Sequence, residues 1–100
     1  MVKLVALYQK PPDPETFDRH YDSTHVPLVK KWPGLRRVEV GKVTGAIGGE
    51  PQYYLITEMY FDSMDAMKSA LRSPEAKAAG ENLQSFAAGL VTMLYVQVGG

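Results

Sequence analysis

The sequence predicts a single α+β domain, a four-stranded antiparallel sheet with two helices on one face, in the order strand, helix, strand, strand, helix, strand. Three observations carry this. Apolar residues recur at helical spacing in two stretches, Glu15 to Lys31 and Met64 to Ala87. Four other stretches are rich in β-branched and aromatic residues: Val2 to Gln9, Leu35 to Val43, Tyr53 to Phe61 and Leu90 to Val98. Proline, glycine and serine punctuate the boundaries. The 100 residues make one domain over 1–100, enough for one core that buries roughly two-thirds of the unfolded surface.

Strand one stops at the proline loop Lys10 to Pro14. In helix one, Phe17, Tyr21, Thr24, Leu28 and Trp32 fall on one stripe, which is therefore expected to face the sheet. Pro27 lies inside the pattern and has no N–H for the carbonyl of Ser23, so a kink or a break into two pieces is expected. Trp32-Pro33-Gly34 forms a turn into strand two. The glycine-containing segment from Thr44 to Pro51 then connects strands two and three as an antiparallel hairpin. Asp62 or Ser63 caps the second helix, whose inner side carries Met64, Met67 and Leu71, and Ser73-Pro74-Glu75 restarts it with a cap, a first-turn proline and an acid. Ala76, Ala79, Gly80, Leu83 and Ala87 then face inward, small enough for close approach to a sheet.

This order matches the ferredoxin-like βαββαβ motif. In strand three Leu55, Met59 and Phe61 share one face, and Tyr54, Ile56, Glu58 and Tyr60 share the other. Both faces are too apolar for water. One goes under the helices; the other is expected to pack on the sheet of a second subunit, giving a homodimeric barrel, with Val91, Met93 and Tyr95 of strand four on that lumen side.

Eleven basic and eleven acidic residues, interspersed, give no basic footprint for nucleic acid or an anionic membrane. With no cysteine there is no disulfide, thiolate nucleophile, iron–sulfur ligand or cysteine zinc cluster. The apolar stretch Val2 to Tyr8, broken by Lys3, is too short for a signal-peptide core or a membrane span, so a cytoplasmic protein is expected.

Phe17, His20-Tyr21, His25-Val26-Pro27-Leu28 and Pro33-Gly34-Leu35 together resemble the first-helix signature of the EthD family, named for ethyl tert-butyl ether degradation. Tyr60-Phe61-Asp62-Ser63 is similar to its strand-to-helix junction and Ser73-Pro74-Glu75 to its second-helix restart, so the resemblance spans nearly the whole chain. It implies a dimeric α+β barrel related to small isomerases, decarboxylases and cofactor-free oxygenases that act on ring-shaped or lactone-like molecules. No GxGxxG turn opens a helix, and the Gly45 to Gly49 loop lies in a hairpin, so no nicotinamide site and no other cofactor is expected.

Among residues able to do chemistry, His25 sits at the edge of the helix-one stripe, one turn beyond Tyr21, and is the acid–base candidate. Its structural alternative is a bond to carbonyls freed by Pro27. His20 is assigned to a solvent edge or a helix–helix contact. On a regular helix His20 and His25 stand about 140° apart, poor geometry for one metal, and no metal site is expected. Glu58 is a second proton-transfer candidate, its pKa raised if the lumen buries it; the alternative is a pairing with Arg36, Arg37 or Lys42. Tyr8, Tyr21, Trp32, Tyr54, Tyr60, Met93 and Tyr95 are expected to line a site for a small hydrophobic, oxygenated molecule, or else to be ordinary barrel core. Two functions follow. One is a cofactor-independent isomerase, lyase or oxygenase using His25; the other is a non-catalytic binding or accessory protein of an oxidative degradation pathway.

Overall fold

The computed structural model describes residues 1–99. Its four strands are β1 (Val2–Tyr8), β2 (Arg37–Lys42), β3 (Leu55–Phe61) and β4 (Val91–Gln97), joined in one sheet of order β2-β3-β1-β4. Every neighbouring pair is antiparallel. Strands β1 and β2 flank β3, and β3 and β4 flank β1, so each helical connection crosses one strand, the split arrangement of the ferredoxin-like fold.

The first crossover is helical over residues 14–29 without a break: α1 (Pro14–His20), a π turn (Tyr21–His25) and α2 (Val26–Val29). Asp13 caps it by accepting from the Thr16 N–H, and proline occupies the first turn. The expected break at Pro27 is replaced by the π turn. The N–H of Val26 reaches back five residues to the carbonyl of Tyr21, which widens the helix just ahead of the proline ring. That wider turn takes up one extra residue, so the buried stripe is Phe17, Tyr21, His25, Val29 and Trp32. The expected Thr24 and Leu28 are displaced: Thr24 is exposed and Leu28 only partly covered.

The second crossover is α3 (Met64–Leu71) followed by α4 (Pro74–Ala87), capped respectively by Ser63 and Ser73, whose hydroxyls accept from Ala66 N and Ala76 N at 3.1 Å. Met67, Ala70, Ala76, Ala79, Leu83 and Ala87 are buried against the sheet. The sheet meets them with Val2, Leu4, Ala6 and Tyr8 of β1 and with Leu55, Thr57, Met59 and Phe61 of β3.

Register corrects one assignment. Leu4 pairs with Tyr95, Ala6 with Met93 and Tyr8 with Val91, so these three β4 residues stand on the helix-covered face and not on the opposite one. Strand parity tells which residues share a face; only register says which face of the neighbour they join. The helix-free face carries Lys3, Val5 and Leu7, Ile56, Glu58 and Tyr60, and Thr92, Leu94 and Val96.

Candidate functional site

A cavity of about 160 Å³ opens between the helix-covered face of the sheet and the helices. Its walls are mostly apolar, with Val29, Met59, Leu71, Leu83 and Met93 contributing. Its polar lining comes from Tyr8 on β1, Thr57 on β3, Tyr21 and His25 on the π turn, Trp32 after α2 and Lys77 on α4. The π turn is the local cause of this convergence, because it keeps Tyr21 and His25 on the buried stripe.

An aromatic cluster holds these side chains in place. Phe17 stacks on Tyr21 at 5.6 Å, and Tyr8 meets both rings edge-on at 5.8 and 5.4 Å. The hydroxyls of Tyr21 and Thr57 share a hydrogen bond. Burial raises the pKa of both Tyr8 and Tyr21 above the ordinary phenol value, so both are neutral hydroxyls at neutral pH.

His25 is 4 % exposed. Its Nδ1 lies 3.1 Å from Oδ1 of Asn82 on α4, and not on a carbonyl freed by Pro27, the structural alternative. With the amide oxygen toward the ring, the imidazole proton is on Nδ1, and Nε2 keeps its lone pair. Burial, first, pulls the pKa of His25 below the ordinary imidazole value; the Asn82 bond opposes this and the nearby His20 adds to it. The imidazole is therefore neutral at neutral pH. Asn82 Nδ2 is 3.0 Å from Nε2 of His20, so the amide joins the two histidines, and the ring of Phe86 covers both. The i, i+5 spacing that is unfavourable on an α-helix suits a π turn.

Trp32 is buried in the cavity wall, and among the described residues its Nε1 is the one buried side-chain polar atom without a hydrogen-bond partner. No group of three or more His, Cys, Asp or Glu side chains is arranged for a metal ion among the described residues.

Of the residues singled out from sequence, His25, Tyr8, Tyr21, Trp32 and Met93 come together at the cavity. Four others stand elsewhere. Tyr54 precedes β3 and donates to Asp18, beside Lys42. Tyr95 shares the helix-covered face but lies beyond the helices, 60 % exposed. Glu58 and Tyr60 are on the helix-free face, where Lys3 Nζ lies 2.6 Å from Glu58 Oε2 and the guanidinium of Arg37 lies 4.1 Å over the Tyr60 ring. The Lys3 bond, outweighing partial burial, lowers the Glu58 pKa, and the charge of Arg37 on the hairpin adds to this; the rise expected from burial does not occur, and the ion-pair partner is Lys3 on β1.

Sequence reading missed two members of the site. Thr57 was detectable as a hydroxyl in the middle of the Leu55, Met59, Phe61 face; Asn82, at the flank of the α4 stripe, gave no such signal.

The arrangement has relatives. A family model for the EthD domain matches residues 9–89. The chain belongs to the EthD family. The crystal structure of an EthD family protein from Bacillus halodurans is similar at 42 % identity and a TM-score of 0.95, covering 99 % of each chain. An uncharacterised 11.0 kDa protein from the thcB-thcC intergenic region of Rhodococcus erythropolis is 39 % identical over 95 residues, 95 % of this chain and 92 % of that protein. SnoaB, a cofactor-independent oxygenase from Streptomyces nogalater, shares the fold at 14 % identity and a TM-score of 0.70, over 99 % of this EthD chain and 93 % of its own. No described helix of the EthD chain is long and apolar enough to cross a membrane.

Proposed function

We propose that this EthD protein binds a small, hydrophobic, oxygenated molecule of about one ring in the cavity between sheet and helices, and that His25 Nε2 takes a proton from it without a cofactor. The observation that carries this is the unpaired Nε1 of Trp32. A buried donor left without an acceptor costs on the order of 1–3 kcal/mol, and a ligand carbonyl or ether oxygen would remove that cost. The volume supports a single ring, since apolar cavities of roughly 150 Å³ take up benzene. A carbonyl held by Trp32, with a neutral imidazole lining the same cavity, would supply the donor and the base that proton abstraction next to that carbonyl requires, the opening step of an isomerase, a lyase or a cofactor-free oxygenase. A fold shared with SnoaB is compatible with this chemistry.

Trp32 is the only tryptophan, so its fluorescence reports the site directly. Titration with phenol, cyclohexanone and δ-valerolactone is expected to change the emission saturably for at least one, with affinity falling several-fold in Trp32→Phe measured by calorimetry. Retained affinity in Trp32→Phe would sink the reading. Deuterium uptake from solvent by a bound ketone, lost in His25→Asn, separates catalysis from simple binding.

We further propose that the helix-free face, with Val5, Leu7, Ile56, Leu94 and Val96, packs against a second copy of the chain.

A further inference from the structure

His25, Asn82 and His20 form a row of side chains that begins at the cavity and ends in a surface groove. His25 lines the cavity, whereas His20 lines a separate groove with Pro11, Asp13 and Phe86. Asn82 stands between the rings, Oδ1 3.1 Å from His25 Nδ1 and Nδ2 3.0 Å from His20 Nε2. A carboxamide accepts at one end and donates at the other, so the end turned to His25 decides which ring nitrogen carries the proton. As placed, the carbonyl faces His25 and Nε2 is the acceptor. With the amide reversed, Nδ2 would donate to Nδ1, and the neutral ring would hold its proton on Nε2.

We propose that Asn82 is a positioning residue that ties the proton position on His25 to the charge on His20: a neutral His20 leaves His25 Nε2 an acceptor, and a protonated His20 turns the amide and makes Nε2 a donor. An imidazolium donates from both nitrogens, so it cannot accept from Asn82 Nδ2 and must face the carbonyl. Reversal loses no hydrogen bond, because both contacts persist with donor and acceptor exchanged.

The surrounding groups favour this order of events. Asp13 shares the groove with His20, and Phe86 and Asn82 face it from α4. Tyr21 from its own helix packs on His25, and Tyr8 from β1 and Lys77 from α4 line the same cavity. Both phenols are held neutral by burial, and burial also disfavours an imidazolium at His25, whereas His20 is only partly buried and borders the groove. The consequence for the cavity, a base at higher pH and a donor at lower pH, rests on the proposed role of His25.

The test uses the unliganded protein, so its failure is separate from failure of the Trp32 titrations. The chain has only two histidines, which makes ¹⁵N-histidine labelling unambiguous once His20→Phe identifies each ring. Long-range ¹H–¹⁵N spectra are expected to show His25 protonated at Nδ1 at pH 8 and at Nε2, still neutral, once His20 has titrated. His20→Phe should keep the Nδ1–H form at both pH values, and Asn82→Ala should uncouple the two rings. An Nδ1–H form that persists through His20 titration in the parent protein would overturn the proposal. So would an imidazolium at His25 with the same midpoint in parent and His20→Phe. Should His20→Phe fail to fold, the exchange in the parent protein and its loss in Asn82→Ala decide the matter.

Discussion

Burial of His25 makes stability depend on pH, with a sign that follows from proton counting. Its folded pKa is lowered, first by desolvation, so as pH falls through the ordinary imidazole range the unfolded chain takes up a proton that the folded chain refuses. The unfolded state then binds more protons, and stability declines with acid. The contribution is intact above about pH 6.5 and is lost as pH drops toward the depressed folded value. His25→Asn removes this titration, so urea midpoints at pH 8, 6.5 and 5 should fall less steeply in the variant than in the parent. Parallel slopes would mean that His25 is not the buried neutral group. At this scale the sequence was informative about which side chains share a buried face, because His25 and Tyr21 lie a turn apart on an apolar stripe. It was silent on their partners. Asn82 and Lys3 are distant in sequence from His25 and Glu58, and only the packing of α4 and the register of β1 on β3 bring each pair together.

Among the elements, strands β1 and β3 were legible because β-branched, aromatic and other apolar residues fill them between turn residues, and α3 and α4 because a serine cap and small inward residues mark them. The π turn was not. Helical periodicity assumes about 3.6 residues per turn, and a single wider turn moves the next two stripe positions by one, so Thr24 and Leu28 were expected where His25 and Val29 stand. Gly80, in the interior of α4 at the cavity wall, offers a test of how the helix is built. A Cβ added there would meet no atom within 4 Å. Gly80→Ala should therefore stabilise the protein by about 0.5–1 kcal/mol, through helix propensity alone, in urea unfolding. A destabilised variant would show that the cavity wall needs bare backbone at that point.

For the whole molecule, the proposed homodimer explains why the helix-free face mixes Val5, Ile56, Leu94 and Val96 with the Lys3–Glu58 pair. Leu94 is 45 % exposed in the single chain. Leu94→Lys is expected to give a monomer by light scattering, whereas the parent should be dimeric, with a melting temperature that rises with protein concentration. A parent protein that stays monomeric at high micromolar concentration would end the dimer proposal.

The π turn also bears on how relatives of this chain would be found. The helix over residues 14–29 contains one residue more than an α-helix along the same path requires, and Pro27, whose ring would clash with a carbonyl four residues back in a regular turn, is accommodated by that surplus. A relative with a different residue in place of Pro27 and one residue fewer between Tyr21 and His25 could therefore run as plain α-helix and still aim the same side chains at the sheet. A search pattern that fixes the number of positions between the tyrosine and the histidine would pass over such a chain; one that allows a single gap there would retain it.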